Sequence, residues 1–140
     1  MIRGRETMTD INKFVGIKHK FNGRDFDGAD CIGLCQLFYR EHGYNQTWDD
    51  GKPIPADWQK YKYRLLLYLR KHFERTDDKN ALAYGDILLF DVDGDYHLGI
   101  FLEYGRILAM QVPCLEGVSQ STVYPKNWWE PFFVVGFKRR

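Results

Sequence analysis

Apolar positions recur at helical spacing in the first half of the chain and in short runs in the second. Cys31, Leu34, Cys35 and Phe38 lie three and four residues apart and predict a helix from Cys31 to Glu41 or His42, stopped by Gly43. Asp30 stands where an N-cap would, its carboxylate accepting the free backbone N–H groups of the first turn. Trp58, Tyr61, Leu65, Tyr68, Leu69 and His72 predict a second helix over about residues 58–73. A shorter one is expected at 9–16, with Thr9 or Asp10 as cap and Ile11, Phe14 and Val15 on its apolar side. Residues 17–29 and 44–57 read as loops, the latter bearing Pro53 and Pro55, and 75–80 reads as a solvated turn.

Past residue 84 the period shortens. Strands are expected at 87–90, 97–103, 106–112 and 132–137, with Asp93-Gly94 as a hairpin turn and a second connection around Tyr104-Gly105. Pro113 and Pro125 bracket a less regular segment containing Val118 and Val123. Helices first and consecutive strands afterwards is an α+β pattern with an antiparallel sheet. At 140 residues, without an internal repeat or low-complexity linker, residues 1–140 are read as a single domain.

The predicted helix start also places chemistry. Cys31 falls at the first helical position, where unpaired amides and the helix dipole favour an anion, so its thiolate is expected to form more readily than that of an average cysteine. Hydrolysis by a thiol needs a base within reach and a group that orients the base. His19 lies beside two lysines in a loop, and His42 and His72 end helices, where a cation suits the dipole. His97, opening a strand, has no such structural account and is the candidate base. Cys35, one turn after Cys31, is expected to point into the core.

The run Asp27-Gly28-Ala29-Asp30-Cys31-Ile32-Gly33-Leu34, with Phe14-Val15-Gly16 and Asn22-Gly23-Arg24 before it, resembles the nucleophile segment of the NlpC/P60 cysteine peptidases, in the form found among phage tail-associated members. Gly85-Asp86-Ile87-Leu88-Leu89-Phe90 and His97-Leu98-Gly99-Ile100-Phe101-Leu102 resemble that family's second block and its histidine. The resemblance implies a papain-like fold with the Cys31 helix packed on the sheet. It also implies a Cys-His acyl-enzyme mechanism on amide bonds of the cell-wall (peptidoglycan) stem peptide. The family's orienting residue, usually histidine, would fall at Ala109, which cannot hydrogen-bond an imidazole. Gln111 is the candidate in its place, provided the connection at Tyr104-Gly105 is odd in length or bulged; an even one turns both 109 and 111 away from His97. If Gln111 does not reach, the dyad is unsupported or the role passes to water or backbone. The Cys31 backbone N–H is the expected oxyanion donor. A catalytically degenerate tail component kept for docking, and acyl transfer on another substrate, are the competing readings.

Composition narrows the partners. The net charge of +1 gives no electrostatic case for nucleic acid or an anionic membrane. Three cysteines without framework spacing predict free thiols. No apolar run approaches a membrane span and the first seven residues lack a secretory core, so synthesis in a host cytoplasm is expected; the resemblance implies delivery on a virion tail, beside other tail proteins. No cofactor or metal is expected. Cys31 and Cys35 lack a second ligand pair, Asp25, Asp27 and Asp30 read as surface plus cap, and Asp91, Asp93 and Asp95 lack the EF-hand pattern. Trp48 and Trp128-Trp129 are candidates for stacking on sugar rings. The plainer expectation is that at least one of Trp128-Trp129 closes the core with Phe132 and Phe133.

Overall fold

The computed structural model describes residues 10–44 and 62–140. The cap expected at Thr9, Trp48 with most of the 44–57 connection, and the helix start expected at Trp58 lie outside the described residues.

The central helix α1 is Cys31–Glu41, α2 is Lys62–His72 and α3 is the single turn Lys126–Trp129. A small hairpin, β1 (Arg24–Asp25) with β2 (Gly28–Ala29), precedes α1. The main sheet contains β3 (Phe73–Thr76), β4 (Ile87–Val92), β5 (Asp95–Phe101), β6 (Ile107–Met110), β7 (Ser121–Tyr124) and β8 (Phe133–Arg139). Its order is β3-β8-β4-β5-β6-β7, and every neighbouring pair is antiparallel. This is the expected α+β architecture.

The sheet is covered on both faces, which is why residues 87–90 are apolar without alternation. On one face Leu89, Leu98, Ile100 and Leu108 pack with Leu34, Leu37 and Phe38 of α1. On the other, Leu88, Phe90, Ile107 and Ala109 pack with Trp129, joined by Trp128, Phe132 and Phe133. Trp129 is fully buried and its indole N–H donates to the Gly105 carbonyl at 2.7 Å. Trp128 is half-buried and stacks on Tyr124 at 3.7 Å. The Trp pair therefore serves the second core.

Two strands were not legible. Residues 73–76, expected as helix end and turn, form β3 because β8 has a free edge that pairs Phe73 with Arg139 through Thr76 with Gly136. β7 falls within the segment expected to be irregular; its partner β6 organises it, not its own pattern. The expected 9–16 helix is, in its described part, a 3-10 turn at Ile11–Phe14 capped by Asp10.

The first described segment is clasped to the region before β7. Gly16 N–H donates to the Ser121 carbonyl at 2.9 Å, Ser121 N–H to Ile17 at 2.9 Å, His19 N–H to Ser119 at 2.8 Å and Gly117 N–H to His19 at 2.8 Å. The buried Ser121 hydroxyl adds a bond from the Ile17 N–H at 2.9 Å and donates to the Phe14 carbonyl at 2.5 Å. His19 of this clasp lines the cavity described next.

Candidate active site

Asp30 caps α1 as expected, and it does more. Its carboxylate accepts from the Gly33 N–H at 2.7 Å, the Asn22 N–H at 2.9 Å and the Arg24 guanidinium at 3.2 Å. The loop bearing Gly23 lies so close over the helix start that a Cβ on Gly33 would sit 1.9 Å from the Gly23 carbonyl oxygen. Glycine at 33 is thus a packing requirement of the Asp-Cys-x-Gly-Leu run. Cys31, one residue after the cap, is held in place by both contacts.

The environment of the thiol differs from the expectation of an eased ionisation. Burial, then the Asp30 charge, then Cys114 and Cys35, hold the Cys31 pKa well above the ordinary thiol value, while the Leu98 backbone N–H beside it pulls the other way. The helix start favours a thiolate, but desolvation and the neighbouring carboxylate outweigh it. Cys35 is buried in the core, as expected, and its thiol is pushed up by burial.

His97 lies on β5, paired with Phe90 of β4, and the two rings are 5.4 Å apart. Phe90 belongs to the second core, so strand parity directs His97 away from the α1 face, near the strand's first residues where the cavity opens. The side chain is only 7% exposed, and burial lowers its pKa despite Asp95 and Asp91. Nε2 is buried without a hydrogen-bond partner among the described residues. Nδ1 faces the sulfur of Cys114 at 3.7 Å. Of the other histidines, His42 is structural: its ring nitrogens contact the Phe38 carbonyl and the Tyr84 hydroxyl, each at 2.8 Å.

The β5–β6 connection spans residues 102–106, an odd length, and Gly99 pairs with Ala109. Residue 109 therefore shares the His97 face, and the same register continued would set Gln111 opposite His97. The ladder stops short of that pair. β6 ends at Met110, and the exposed Gln111 folds toward β7, its N–H donating to the Gln120 carbonyl at 2.9 Å and its Oε1 accepting from the Gln120 N–H at 3.1 Å. Gln111 makes no hydrogen bond to His97. Nδ1 has Cys114 beside it in place of Gln111, and Ala109, whose side chain has no polar atom, lies in the second core.

Cys31 and His97 nonetheless border one cavity of about 550 Å³. Asp30 and Cys31 come from the α1 start, Asp93, Asp95 and His97 from the β4–β5 hairpin. His19, Phe21 and residues 112–115 complete the walls. The hairpin turn is the expected Asp93-Gly94, both at positive φ, with the Asp91 carboxylate accepting the Gly94 N–H at 2.8 Å. Among the described residues no three His, Cys, Asp or Glu side chains converge as metal ligands.

The family model for NlpC/P60 matches residues 16–137, from the clasp through the last strand. The chain belongs to the NlpC/P60 family. The NlpC/P60 domain of the peptidoglycan hydrolase SagA superposes with a TM-score of 0.59 at 19% identity, covering 98% of this chain and 99% of that one. An NlpC/P60 family protein from Bacillus cereus ATCC 10987 gives 0.62 at 19% identity, covering 99% of this chain and 40% of that longer one. These likenesses establish the NlpC/P60 papain-like fold. No curated protein matches the chain.

Sequence reasoning had assigned Cys114 no role. It is an isolated cysteine in an aperiodic loop, and only the path of that loop brings it to His97.

Proposed function

We propose that this NlpC/P60 domain hydrolyses amide bonds of peptidoglycan stem peptides through Cys31 and His97. The observation that carries the reading is that Cys31, at a capped helix start, and His97, on a central strand, border one cavity in a chain of a family whose members are typically peptidoglycan hydrolases. In the proposed reaction the Cys31 proton passes to His97 and the sulfur bonds to the carbonyl carbon. The Cys31 N–H, which has no intrahelical acceptor at that position, faces the developing oxyanion. The C–N bond breaks as the imidazolium protonates the leaving amine. Water, deprotonated by His97, then cleaves the thioester and restores the thiol.

The setting we propose is a phage or prophage tail, on the strength of the sequence resemblance. A second reading, a catalytically degenerate docking component of the tail, is favoured by the raised Cys31 pKa and by the lack of an orienting group at Ala109. Release of new amino groups from purified sacculi separates the two. The wild-type chain is expected to release them, and Cys31→Ala and His97→Ala to fall to background with little change in thermal midpoint. Inactivity of the wild-type chain on several wall chemotypes would establish the degenerate reading instead.

A further inference from the structure

Cys114 enters the cavity from the loop after β6, and that loop is firmly built. The Ser119 hydroxyl donates to the Pro113 carbonyl at 2.5 Å and accepts from the Leu115 N–H at 2.8 Å, fixing the backbone on both sides of residue 114. The Ser119 N–H returns to the Leu115 carbonyl at 2.8 Å, and Glu116 accepts from the Phe21 N–H at 3.0 Å. The sulfur so placed is 3.7 Å from Nδ1 of His97, while Nε2 is buried without a partner among the described residues. Cys31 borders the same cavity with its sulfur against the Leu98 N–H. One imidazole nitrogen thus faces a cavity that holds two thiols.

An imidazole nitrogen accepts one proton along one lone pair. In the tautomer with Nε2 protonated, Nδ1 accepts from the Cys114 S–H, and a proton leaving Cys31 then has no acceptor at that nitrogen. Both thiols stay protonated at neutral pH, Cys31 because burial raises it and Cys114 because burial and the Asp95 and Asp30 charges push it up to about 11. The resting contact is therefore between neutral groups and is readily exchanged.

We propose that Cys114 is a second functional thiol of this site, holding Nδ1 of His97 in the resting protein in competition with Cys31, so that the base serves Cys31 only once Cys114 releases it. The proposal rests on the Cys31–His97 reading of the cavity, but its test needs no substrate.

The test is iodoacetamide alkylation of the full chain at pH 7.5, with the rate at each cysteine read by peptide mass spectrometry. Cys114 is expected to label faster than Cys31, and His97→Ala to slow Cys114 roughly tenfold. Cys114→Ala should raise the Cys31 rate by a similar factor, Cys114→Ser, whose hydroxyl still reaches toward Nδ1, by less, and the double variant Cys114→Ala/His97→Ala should lose the gain. A Cys31 rate unchanged or lowered in Cys114→Ala at an unchanged thermal midpoint overturns the proposal, as does Cys114 labelling indifferent to His97. If sacculi resist every variant while the labelling pattern holds, the competition stands and the hydrolase reading falls. If sacculi are cleaved and the pattern is absent, Cys114 is only a wall of the cavity.

Discussion

Asp30 has two effects on Cys31 that pull against each other. As cap it fixes the residue at the head of α1; as a buried carboxylate it opposes negative charge on the Cys31 sulfur, which the proposed reaction requires. Asp30→Asn keeps an oxygen for the Gly33 N–H while removing the charge. Its expected outcome is Cys31 alkylation beginning at lower pH than in the wild-type chain, with stability reduced by about 1 kcal/mol from the weakened cap. Cys31 was legible because an acidic cap followed by apolar residues at helical spacing is a local pattern. His97 was legible by elimination. The raised thiol pKa was not, since desolvation depends on what the tertiary fold lays over the sulfur. Cys114 was not, since its contact with His97 crosses 17 positions of chain through a loop with no period.

The start of α1 depends on the loop that crosses it. Gly33→Ala would drive a methyl into the Gly23 carbonyl, and because backbone cannot swing aside, a loss of about 3 kcal/mol is expected from denaturant titration. Gln111→Ala makes the opposite case. With its side chain bonded to the Gln120 N–H, the expected cost is about 1 kcal/mol and His97-dependent labelling of Cys114 is expected to persist. Parity of the β5–β6 connection was the open question at this level, and the odd length put residue 109 on the His97 face. That left Gln111 to the end of the ladder, where turn geometry decides. α1, β4, β5, β6 and β8 could be read from apolar periodicity. β3 and β7 could not, because an edge strand with a polar pattern is defined by the neighbour that pairs with it.

For the molecule as a whole, the buried His97 and the half-buried His42 set an acid limit. His97 and His42 are both held by burial below the ordinary imidazole value of 6.5. As the pH falls through that value the unfolded chain takes up protons that the native chain refuses, so stability is expected to decline. Cys31 acts at the other end, since above the ordinary thiol value of 9.0 the unfolded chain loses a proton that the native one keeps. Urea midpoints should therefore peak between these limits, and His97→Gln should flatten the acid side. A midpoint that holds constant from pH 7 to pH 5 would refute this.

The clasp between residues 16–19 and 117–121 joins positions about a hundred apart along the chain, and its His19 lines the cavity. Bringing such distant segments together is slow in proportion to the loop entropy lost before any contact is made. The cavity is thus expected to assemble late, after α1 and the β4–β5–β6 meander have found one another. In pulse-labelled hydrogen exchange during refolding, the amides of Gly16, His19 and Ser121 should gain protection together and after those of Leu89, Leu98 and Ile100. A newly made chain would on that schedule have Cys31 and Cys35 packed in a core before the cavity beside Cys31 is closed.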